Sequence, residues 1–436
     1  MKRQVRCPGV LRGTVVPPGD KSISHRAAIL NAIAPGEAIV ENFQRGADCL
    51  ATLRCLRLLG VDWRWQDETT LHMRGRGRGS LGESAAVLDC RNSGTTLRLL
   101  SGLLAAQPFF SVLSGDASLR SRPMGRIIEP LREMGADIRG REGDTKAPLA
   151  IRGARLGGIR YRPPVASAQV KSALLLAGLY AEGETIIEEP APSRDHSERM
   201  LQAMGAEVRC EEGVVRVQPL ADELQPLPMR VPGDISAAAC WLVLGALHPD
   251  AEIQLRGVGV NPTRSGVIDA LRLMGADIRI EEERRWGPEP VADIVVRSSR
   301  LVGAEIGEEL VPRAIDELPL IALAAALAEG ETVIRDAAEL RVKESDRIST
   351  TARELRRLGA EIEELADGLR IRGRPRLRGA VVSSHGDHRL AMMLAVAGAV
   401  AQGETVIGNA EAVAVSYRWF WRDLELLAGR QSISRD

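Results

Sequence analysis

The hydrophobic pattern of the chain repeats along its length. Amphipathic helical stretches that end in Met-Gly-Ala or a close variant recur five times, and each precedes a short alternating strand. A second phrase, Ala-x-Gly-Glu followed by a strand, comes after four Ala/Leu-rich helical stretches. In the first phrase the glycine suits the helix C-terminus, where a positive φ is needed. The five glycines are Gly60, Gly135, Gly205, Gly275 and Gly359.

The two phrases together predict six copies of a βαβαββ unit, each of about 70 residues, in an α/β fold. Six such units suggest two lobes of three. The sixth copy lacks its closing strand, whereas spare strands are predicted at 3–7 and 11–16. We therefore expect the N-terminal strands to complete the last unit.

That completion predicts a discontinuous lobe of residues 1–19 plus 231–436 and an inserted lobe of residues 20–230. The chain would cross between the lobes near Pro17–Asp20 and again near Val231–Asp234. The two crossings have similar sequences, PPGDKS and VPGDIS.

Composition and charge narrow the functional classes. The 436 residues have zero formal net charge and are 44% hydrophobic, which argues against nucleic-acid or membrane-surface binding by bulk electrostatics. The stretch MKRQVRCPGVL lacks a long apolar segment and no run of eighteen apolar residues occurs, so neither a signal peptide nor a membrane span is expected. The six cysteines form no CxxC pair, so neither a zinc site nor a disulfide framework is predicted, and a cytoplasmic location fits best. The glycine-rich stretch 74–82 lacks the context of a phosphate loop and is expected to be a surface hairpin.

Residues 17–34 place two cations at the start of a helix. Ser22 or Ser24 is expected to cap this helix, Lys21 stands at its positive end, and Arg26 lies about one turn inside. Such a start can bind an anion, although an ordinary capped helix with solvated basic residues is an equally good interpretation of this stretch alone.

Other predicted helix starts also contain polar residues at positions where the repeat pattern predicts a buried helix. Donors cluster in Asn92–Thr96, arginines surround Pro123, and hydroxyl and amide groups precede the helix at 168–179. The stretch at 193–201 adds Arg194. Each of these has a purely structural alternative, either a cap or a solvated turn.

Three later stretches carry charged residues beside buried helices, and two of them, Lys343–Arg347 and His385–Arg389, carry dense charge of both signs. Asp316 and Glu317 precede a buried helix, Lys343–Arg347 contains two cations and two carboxylates, and His385–Arg389 precedes another buried helix. A metal site at His385, Asp387 and His388 is an alternative, but the neighbouring cations disfavour it. If seven cations at successive helix starts face one cleft, their mutual repulsion has to be offset by negative charge, which small anionic ligands would supply. These cations are Lys21, Arg26, Arg122, Arg194, Lys343, Arg347 and Arg389.

Seven motifs in order resemble one known family. PGDKSISHR, NSGTT, RPMGR, SAQVKSALLLAGL, SRDHSERML, RVKESDR and GDHRLAM are similar to those of the 5-enolpyruvylshikimate-3-phosphate (EPSP) synthase family, over nearly the whole chain. The resemblance implies the enolpyruvyl transferase fold, a two-lobed inverse α/β barrel with the active site between the lobes. It implies transfer of the enolpyruvyl group of phosphoenolpyruvate to the 5-hydroxyl of shikimate 3-phosphate, in chorismate and aromatic amino acid biosynthesis, without metal or cofactor.

The resemblance also assigns roles to residues. It makes Asp316 the base for the 5-hydroxyl and Glu344 the acid for the methylene carbon, with Lys21 as a third catalytic group. The implied shikimate 3-phosphate ligands are Lys21, Ser22, Arg26, Ser167, Ala168, Gln169, Arg194, Asp316 and Lys343. The implied phosphoenolpyruvate ligands are Lys21, Asn92, Gly94, Thr95, Arg122, Gln169, Arg347 and Arg389.

The chain departs from the family pattern at three positions. Val415 stands where many relatives carry a Lys, Arg418 where Pro is common, and Arg91 where Gly is usual. Gly94 and Thr95 match the pattern of glyphosate-sensitive members, so we expect glyphosate to compete with phosphoenolpyruvate. We also expect a monomer. The alternatives are a UDP-N-acetylglucosamine enolpyruvyl transferase, which typically has a Lys-Asn pair in the first motif and a reactive loop Cys, and a non-catalytic anion-binding homologue.

Overall fold

The chain forms a mixed α/β fold in which the 24 strands of the described residues belong to six four-stranded sheets. The structure is a computed structural model and describes residues 1–429 and 432–435. The strands are β1 (Lys2–Arg6), β2 (Leu11–Val15), β3 (Gly36–Glu41), β4 (Asp62–Trp65), β5 (Leu71–Gly75), β6 (Leu88–Asp89), β7 (Phe110–Ser114), β8 (Asp137–Gly140), β9 (Lys146–Arg152), β10 (Arg160–Tyr161), β11 (Thr185–Glu188), β12 (Val208–Glu211), β13 (Val214–Val217), β14 (Met229–Arg230), β15 (Ala251–Gly259), β16 (Asp277–Trp286), β17 (Glu289–Arg297), β18 (Glu305–Ile306), β19 (Glu331–Ile334), β20 (Glu361–Glu364), β21 (Leu369–Arg372), β22 (Val381–Ser383), β23 (Glu404–Gly408) and β24 (Ile433–Arg435).

Helices connect these strands, and each sheet has an associated buried helix. The helices are α1 (Lys21–Ala32), α2 (Ala47–Leu58), α3 (Gly94–Leu104), α4 (Ala117–Ser121), α5 (Gly125–Glu133), the short turn α6 (Arg141–Asp144), α7 (Ala168–Gly178), α8 (His196–Ala203), α9 (Ile235–Leu247), α10 (Gly266–Leu273), α11 (Leu310–Ala314), α12 (Leu318–Leu327), α13 (Arg347–Arg357), α14 (His388–Gly398) and α15 (Phe420–Ala428). The segments Ala338–Val342 and Ala410–Val415 are 3₁₀ helices. No helix among the described residues is both long and apolar enough to cross a membrane.

The sheets share one topology. In the sheet β6-β7-β9-β8, β6 and β7 run parallel across α3, and β9 pairs antiparallel with both β7 and β8. The sheet β18-β19-β21-β20 repeats this order, with α12 leading into β19. A βαβαββ unit is therefore present in each of six sheets, and the predicted α/β class and sixfold repeat are confirmed.

The chain forms two compact units. The split unit comprises Met1–Pro18, Pro232–Arg284 and Pro290–Asp436, and the inserted unit comprises Gly19–Val231 and Arg285–Glu289. Each contains three of the sheets and has its own hydrophobic core. The apolar helices α9, α12 and α14 are buried in the split unit, and α1, α3 and α7 are buried in the inserted unit.

The first two strands of the chain join different sheets of the split unit. β1 lies between β23 and β24, antiparallel to both, so the sheet of the sixth repeat contains both ends of the described chain. β2 instead pairs parallel with β15 in the fourth repeat. β14, which precedes α9, pairs parallel with β3 in the inserted unit. The two segments with similar sequences, after β2 and after β14, thus each lead from a strand in one unit to a helix in the other.

The glycines of the repeated phrase have the predicted conformation. Gly60, with φ of +91°, follows the C-terminus of α2, and Gly135, with φ of +102°, follows α5. A side chain there would strain the backbone, which accounts for a glycine at the same point of the repeat. The hairpin expected at 74–82 is wrong. After β5 the chain forms a loop in which the Arg78 guanidinium donates to the Leu220 carbonyl at 2.7 Å, because β5 already has strand partners on both sides.

Candidate active site

The motif at residues 20–26 is a capped helix start, but neither predicted serine supplies the cap. Asp20 caps α1 through a carboxylate that accepts the Ile23 N–H at 2.9 Å. The serines are thereby left for other contacts, and the Ser22 hydroxyl accepts from Arg194 Nη1 at 3.4 Å. Lys21 Nζ forms an ion pair with Asp48 Oδ2 at 3.1 Å. A carboxylate one residue before the helix reaches the N–H groups of the first turn, which is the usual N-cap geometry.

Arg26 is held beneath this helix start. Only 3% of the residue is exposed, and its guanidinium donates to the Ser22 carbonyl at 3.0 Å, Ser172 Oγ at 2.6 Å and Ser197 Oγ at 2.7 Å. Burial, reinforced by the charge of Arg194 and opposed by that of Glu198, lowers the pKa of Arg26 to about 10. The structure thus connects the first motif to the motifs at 163–179 and 193–201 through one guanidinium.

The starts of α3 and α7 lie against each other. Ser93 caps α3 by accepting the Thr96 N–H, and Ser167 caps α7 by accepting the Val170 N–H. Gln169 Nε2 donates to Thr95 Oγ1 at 2.9 Å, which joins the two helix starts directly. Ala168, in the first turn of α7, accepts the Ser172 hydroxyl at its carbonyl at 2.6 Å. Helix N-termini present N–H groups and a partial positive charge, so the paired starts are suited to an anion.

Gly94 lies under two guanidinium groups. A Cβ at Gly94 would lie 2.9 Å from Arg98 Nη1 and 3.5 Å from Arg122 Nη1. Arg122 donates to the Asn92 side-chain carbonyl, and the Asn92 amide donates to Asp116 at 2.8 Å. The space over Gly94 is therefore bordered by cations and would be narrowed by any side chain at this position.

Arg98 belongs to this group of residues, although sequence reasoning missed it. Its guanidinium donates to the Gln169 side-chain oxygen and to the Pro123 carbonyl at 3.2 Å, so it links three motifs. The signal was present, because Arg98 is a single charged residue in the otherwise apolar helix sequence TTLRLLSGLL. A charged residue within a buried helix calls for a partner or a ligand.

In the split unit, Arg347 is the centre of a carboxylate cluster. Its guanidinium is 1% exposed and donates to Asp387 Oδ2 at 2.8 Å, to Glu344 Oε2 at 2.7 Å and to Asp316 Oδ1 at 3.1 Å. Asp387 also caps α14 by accepting the Arg389 N–H at 2.8 Å. The cluster thus brings together Asp316, Glu344 and Arg347, which the sequence spreads over 32 positions.

Burial and charge oppose each other in this cluster. Burial by itself lowers the pKa of Arg347, but the charges of Asp387, Glu344 and Asp316 outweigh it and raise the pKa above the ordinary arginine value. Burial raises the pKa of Asp387, yet the charge and hydrogen bonds of Arg347 hold it below its usual value. Both groups are therefore ionised at neutral pH, and the Asp316 and Glu344 side chains, 16% and 20% exposed, stay accessible.

The adjacent acids Asp316 and Glu317 have different surroundings. Asp316 faces Arg347, whereas Glu317 has no exposed surface, accepts the Ser236 hydroxyl, and lies 3.8 Å from Arg264. The sequence predicts both residues at the start of a buried helix, but it does not show which of the two side chains is accessible. Only Asp316 is both accessible and beside Glu344.

Arg389 is buried without a partner. The residue is 7% exposed, and its guanidinium makes no hydrogen bond or ion pair with any residue in the part of the chain that the structure describes. It follows Asp387 in the first turn of α14. An unpaired buried guanidinium is costly, and an anionic ligand would remove that cost.

The structure also places four further residues that the sequence singled out. Lys343 is the C-cap of the 3₁₀ helix Ala338–Val342 and directly precedes Glu344. Arg91, which stands where relatives have Gly, has a φ of +53° and an exposed side chain that pairs with Asp89 at 3.1 Å. Arg418 is exposed and Val415 is half-buried.

The alternative of a metal site at 385–388 does not fit the geometry. Asp387 binds Arg347, while His385 Nε2 lies 2.8 Å from Glu354 Oε1, so the two side chains serve different partners. Within residues 1–429 and 432–435, no three His, Cys, Asp or Glu side chains are grouped to hold a metal ion.

Comparison with known proteins places these residues in a family. The family model described as EPSP synthase (3-phosphoshikimate 1-carboxyvinyltransferase) matches residues 5–424. The chain belongs to the EPSP synthase family. A 3-phosphoshikimate 1-carboxyvinyltransferase of Roseiflexus sp. (strain RS-1) is 55% identical over 97% of this chain and 98% of its own length. One of Geobacillus kaustophilus (strain HTA426) is 56% identical over 96% of this chain and 98% of its own length.

The solved structures agree with the family membership. A structure of EPSP synthase from Acinetobacter baumannii is 43% identical, superposes with a TM-score of 0.89, and covers 100% of this chain and 99% of its own. The predicted membership of the EPSP synthase family and its inverse α/β barrel fold class are therefore confirmed.

Proposed function

We propose that the chain transfers the enolpyruvyl group of phosphoenolpyruvate to the 5-hydroxyl of shikimate 3-phosphate and releases phosphate. The observation that carries this conclusion is the cluster around Arg347. One buried guanidinium holds Asp316 and Glu344 side by side, so that two accessible carboxylates can act on the two groups that react with each other. Family membership and the relatives named 3-phosphoshikimate 1-carboxyvinyltransferase support the same reaction.

The two carboxylates have complementary tasks. Asp316 accepts the proton of the 5-hydroxyl as its oxygen bonds to C2 of phosphoenolpyruvate, and Glu344 delivers a proton to the C3 methylene carbon. The product of this addition is a tetrahedral intermediate that keeps the phosphate. Loss of phosphate from C2 and of a proton from C3 then regenerates the double bond. The reaction needs both an acid and a base, and two carboxyl groups can fill both roles when their surroundings differ.

The cations bind the charges of the two substrates. Lys21, Ser22 and Arg194, with Ser167 and Gln169 at the start of α7, are assigned to shikimate 3-phosphate. Arg26 lies beneath them and positions Ser22, since its donors are occupied by carbonyl and hydroxyl oxygens. Lys343 and Ala168 complete this group.

Phosphoenolpyruvate is assigned to the space over Gly94 and to the unpaired Arg389. Arg122, Asn92 and Thr95 border that space, and Arg98 positions Gln169 there. Fixed cations of this kind stabilise charge that develops on the leaving phosphate without reorganising during the reaction.

Phosphate release measures the proposed activity directly. The protein is mixed with phosphoenolpyruvate and either shikimate 3-phosphate or UDP-N-acetylglucosamine. Release with shikimate 3-phosphate alone is the expected result. Release only with the nucleotide sugar would favour the other transferase, and release with neither, in a folded preparation, would favour a non-catalytic homologue.

Glyphosate is proposed to compete with phosphoenolpyruvate, because Gly94 leaves the space beside Arg98 and Arg122 open. Inhibition should weaken as phosphoenolpyruvate is raised. Unchanged turnover at high glyphosate and low phosphoenolpyruvate would rule this out. A monomer of 47.1 kDa is expected in light scattering, and the cytoplasmic location stays a prediction.

A further inference from the structure

A large open cavity of about 1280 Å³ lies in the split unit, away from the Arg347 cluster. It is bordered by the segments that follow the C-termini of α9, α12 and α14, including Pro249, Glu329 and Gln402. The Asp316 and Asp387 side chains lie at the opposite, N-terminal ends of these helices. A helix of ten residues is about 15 Å long, so the cavity is distinct from the proposed active site.

Arginines predominate among the charged residues of this cavity. Four arginines and two glutamates line it. Arg6 pairs with Glu404 at 2.7 Å, and Arg374 pairs with Glu361 at 2.8 Å. Arg300 and Arg376 are exposed, and their guanidinium groups have no hydrogen-bond or ionic partner among the described residues. The lining therefore offers unpaired donors for carboxylates.

The inserted unit closes the corresponding end of its own helices. Its segment 218–228 passes over the C-termini of α1 and α7, where the Leu220 N–H donates to the Leu179 carbonyl at 2.9 Å and the Leu227 N–H donates to Asn31 at 2.8 Å. The segment is acidic, and Glu223 accepts the Arg78 N–H at 3.0 Å while Leu224 is buried. Its sequence is QPLADELQPLP.

We infer that the cavity of the split unit is a docking site for an acidic, leucine-containing extended segment of a partner protein. The volume exceeds the roughly 300–1,000 Å³ typical of small-molecule sites. A peptide supplies apolar side chains for Leu247, Leu327 and Val400 of the lining together with carboxylates for Arg300 and Arg376, whereas a small anion supplies acceptors alone. In the inserted unit, Leu220 and Leu224 of an acidic segment of the chain itself are buried at the corresponding end.

A labelled peptide tests the proposal on the intact protein. The probe is fluorescein-labelled PLADELQPLP, which is residues 219–228, and the reference peptide has Asn and Gln in place of Asp222 and Glu223. Anisotropy should show saturable binding of the acidic peptide that is at least about tenfold tighter than that of the reference, and weaker at higher salt.

Charge-reversal variants locate the binding. Arg300→Glu with Arg376→Glu should weaken binding at least about tenfold, whereas Arg54→Glu with Arg139→Glu, two exposed arginines of the inserted unit, should leave it unchanged although the net charge changes equally. Phosphate release should be the same in both double variants.

The docking proposal fails if the acidic peptide shows no saturable binding, if the neutral reference binds as well, or if the Arg300/Arg376 variant keeps full affinity. Displacement of the peptide by an equal concentration of citrate would also overturn it, since charge alone would then be recognised. None of these outcomes depends on the transferase activity.

Discussion

Three of the buried arginines differ in their surroundings. Arg26 donates to neutral oxygens, Arg347 to three carboxylates, and Arg389 to no described residue. The cost of burying a guanidinium depends on its partners. Arg26 and Arg347 are therefore stabilised in the protein itself, whereas Arg389 is the one of the three that a ligand would stabilise.

We predict that Arg389→Leu separates activity from stability. Removal of an unpaired buried charge should leave the melting temperature unchanged or raise it, while kcat/KM for phosphoenolpyruvate should fall by about 10²-fold or more. Thermal unfolding and phosphate release measure the two effects. Arg378→Leu, at an exposed arginine without a side-chain partner among residues 1–429 and 432–435, is the control. A large loss of stability would show that Arg389 has a structural role.

The carboxylates beside Arg347 should act mainly on turnover. Asp316→Asn and Glu344→Gln keep the shape of each side chain but remove its acid–base capacity, and each should lower kcat by about 10²–10⁴-fold in the phosphate-release assay. Glu305→Gln, at a carboxylate 72% exposed, serves as the control. A change confined to KM would contradict the acid–base assignment.

Gly94→Ala should affect the inhibitor and phosphoenolpyruvate together. The new Cβ would lie 2.9 Å from Arg98 Nη1, so the guanidinium or the bound anion has to shift. We expect a higher KM for phosphoenolpyruvate and weaker inhibition by glyphosate, each by about tenfold or more. Both are read from steady-state phosphate release, with Gly79→Ala, where a Cβ would meet nothing within 4 Å, as the control. Unchanged inhibition would refute the assignment of this space.

At the residue scale, the direction of individual side chains could not be predicted from the sequence. The sequence indicated Asp316, Glu344 and Arg347 by charge density, but it could not show that Glu317 is buried against Ser236 while Asp316 is accessible. Ser22 or Ser24 was predicted as the cap instead of Asp20, because serine and aspartate both cap helices well.

At the scale of elements, a buried hydrogen-bond chain joins three helices of the inserted unit. His25 Nδ1 lies 2.7 Å from Thr52 Oγ1, which lies 2.7 Å from Thr96 Oγ1, and Thr96 donates to the capping Ser93 at 2.7 Å. Burial, with the charges of Lys21 and Arg26, lowers the pKa of His25 well below 6.5. The starts of α1 and α3 are thus linked through a neutral imidazole.

This chain predicts a pH dependence of stability. The unfolded chain protonates His25 near pH 6.5, whereas the folded protein does not, so unfolding takes up a proton below that pH. The stabilisation is complete above pH 6.5 and is lost as the pH falls, by up to about 1.4 kcal/mol per unit. Urea unfolding between pH 7.5 and 5.5 should show this loss in the wild type and less of it in His25→Gln. Equal slopes in both proteins would contradict the prediction.

For the molecule as a whole, most of the fold was predicted from the sequence repeat. Gly60, Gly135, Gly205, Gly275 and Gly359 recur because each repeat needs the same positive φ, so the βαβαββ unit could be read from spacing. Which sheet each terminal strand joins was harder, since β1 and β2 have similar short apolar patterns. The cavity and the buried hydrogen-bond networks depend on packing between repeats, which cannot be predicted from local sequence patterns.

The position of β1 predicts where the split unit is sensitive. Val5 is 1% exposed and lies in a strand with partners on both sides, so Val5→Asp should cost about 3 kcal/mol or more of unfolding free energy. Thr14→Asp, at an exposed position on the edge strand β2, should cost less than about 1 kcal/mol. Urea denaturation measures both, and equal effects would mean that β1 contributes little to the sheet.

The pairing of β1 also sets an order of events during synthesis. β1 is synthesised about 400 residues before its partner Glu404–Gly408, which corresponds to about 20–80 s at 5–20 residues per second. The continuous segment Gly19–Val231 of the inserted unit is made well before then. The nascent chain would thus carry β1 unpaired until Glu404–Gly408 has been made, and molecular chaperones that shield unpaired strands would find it exposed during that time.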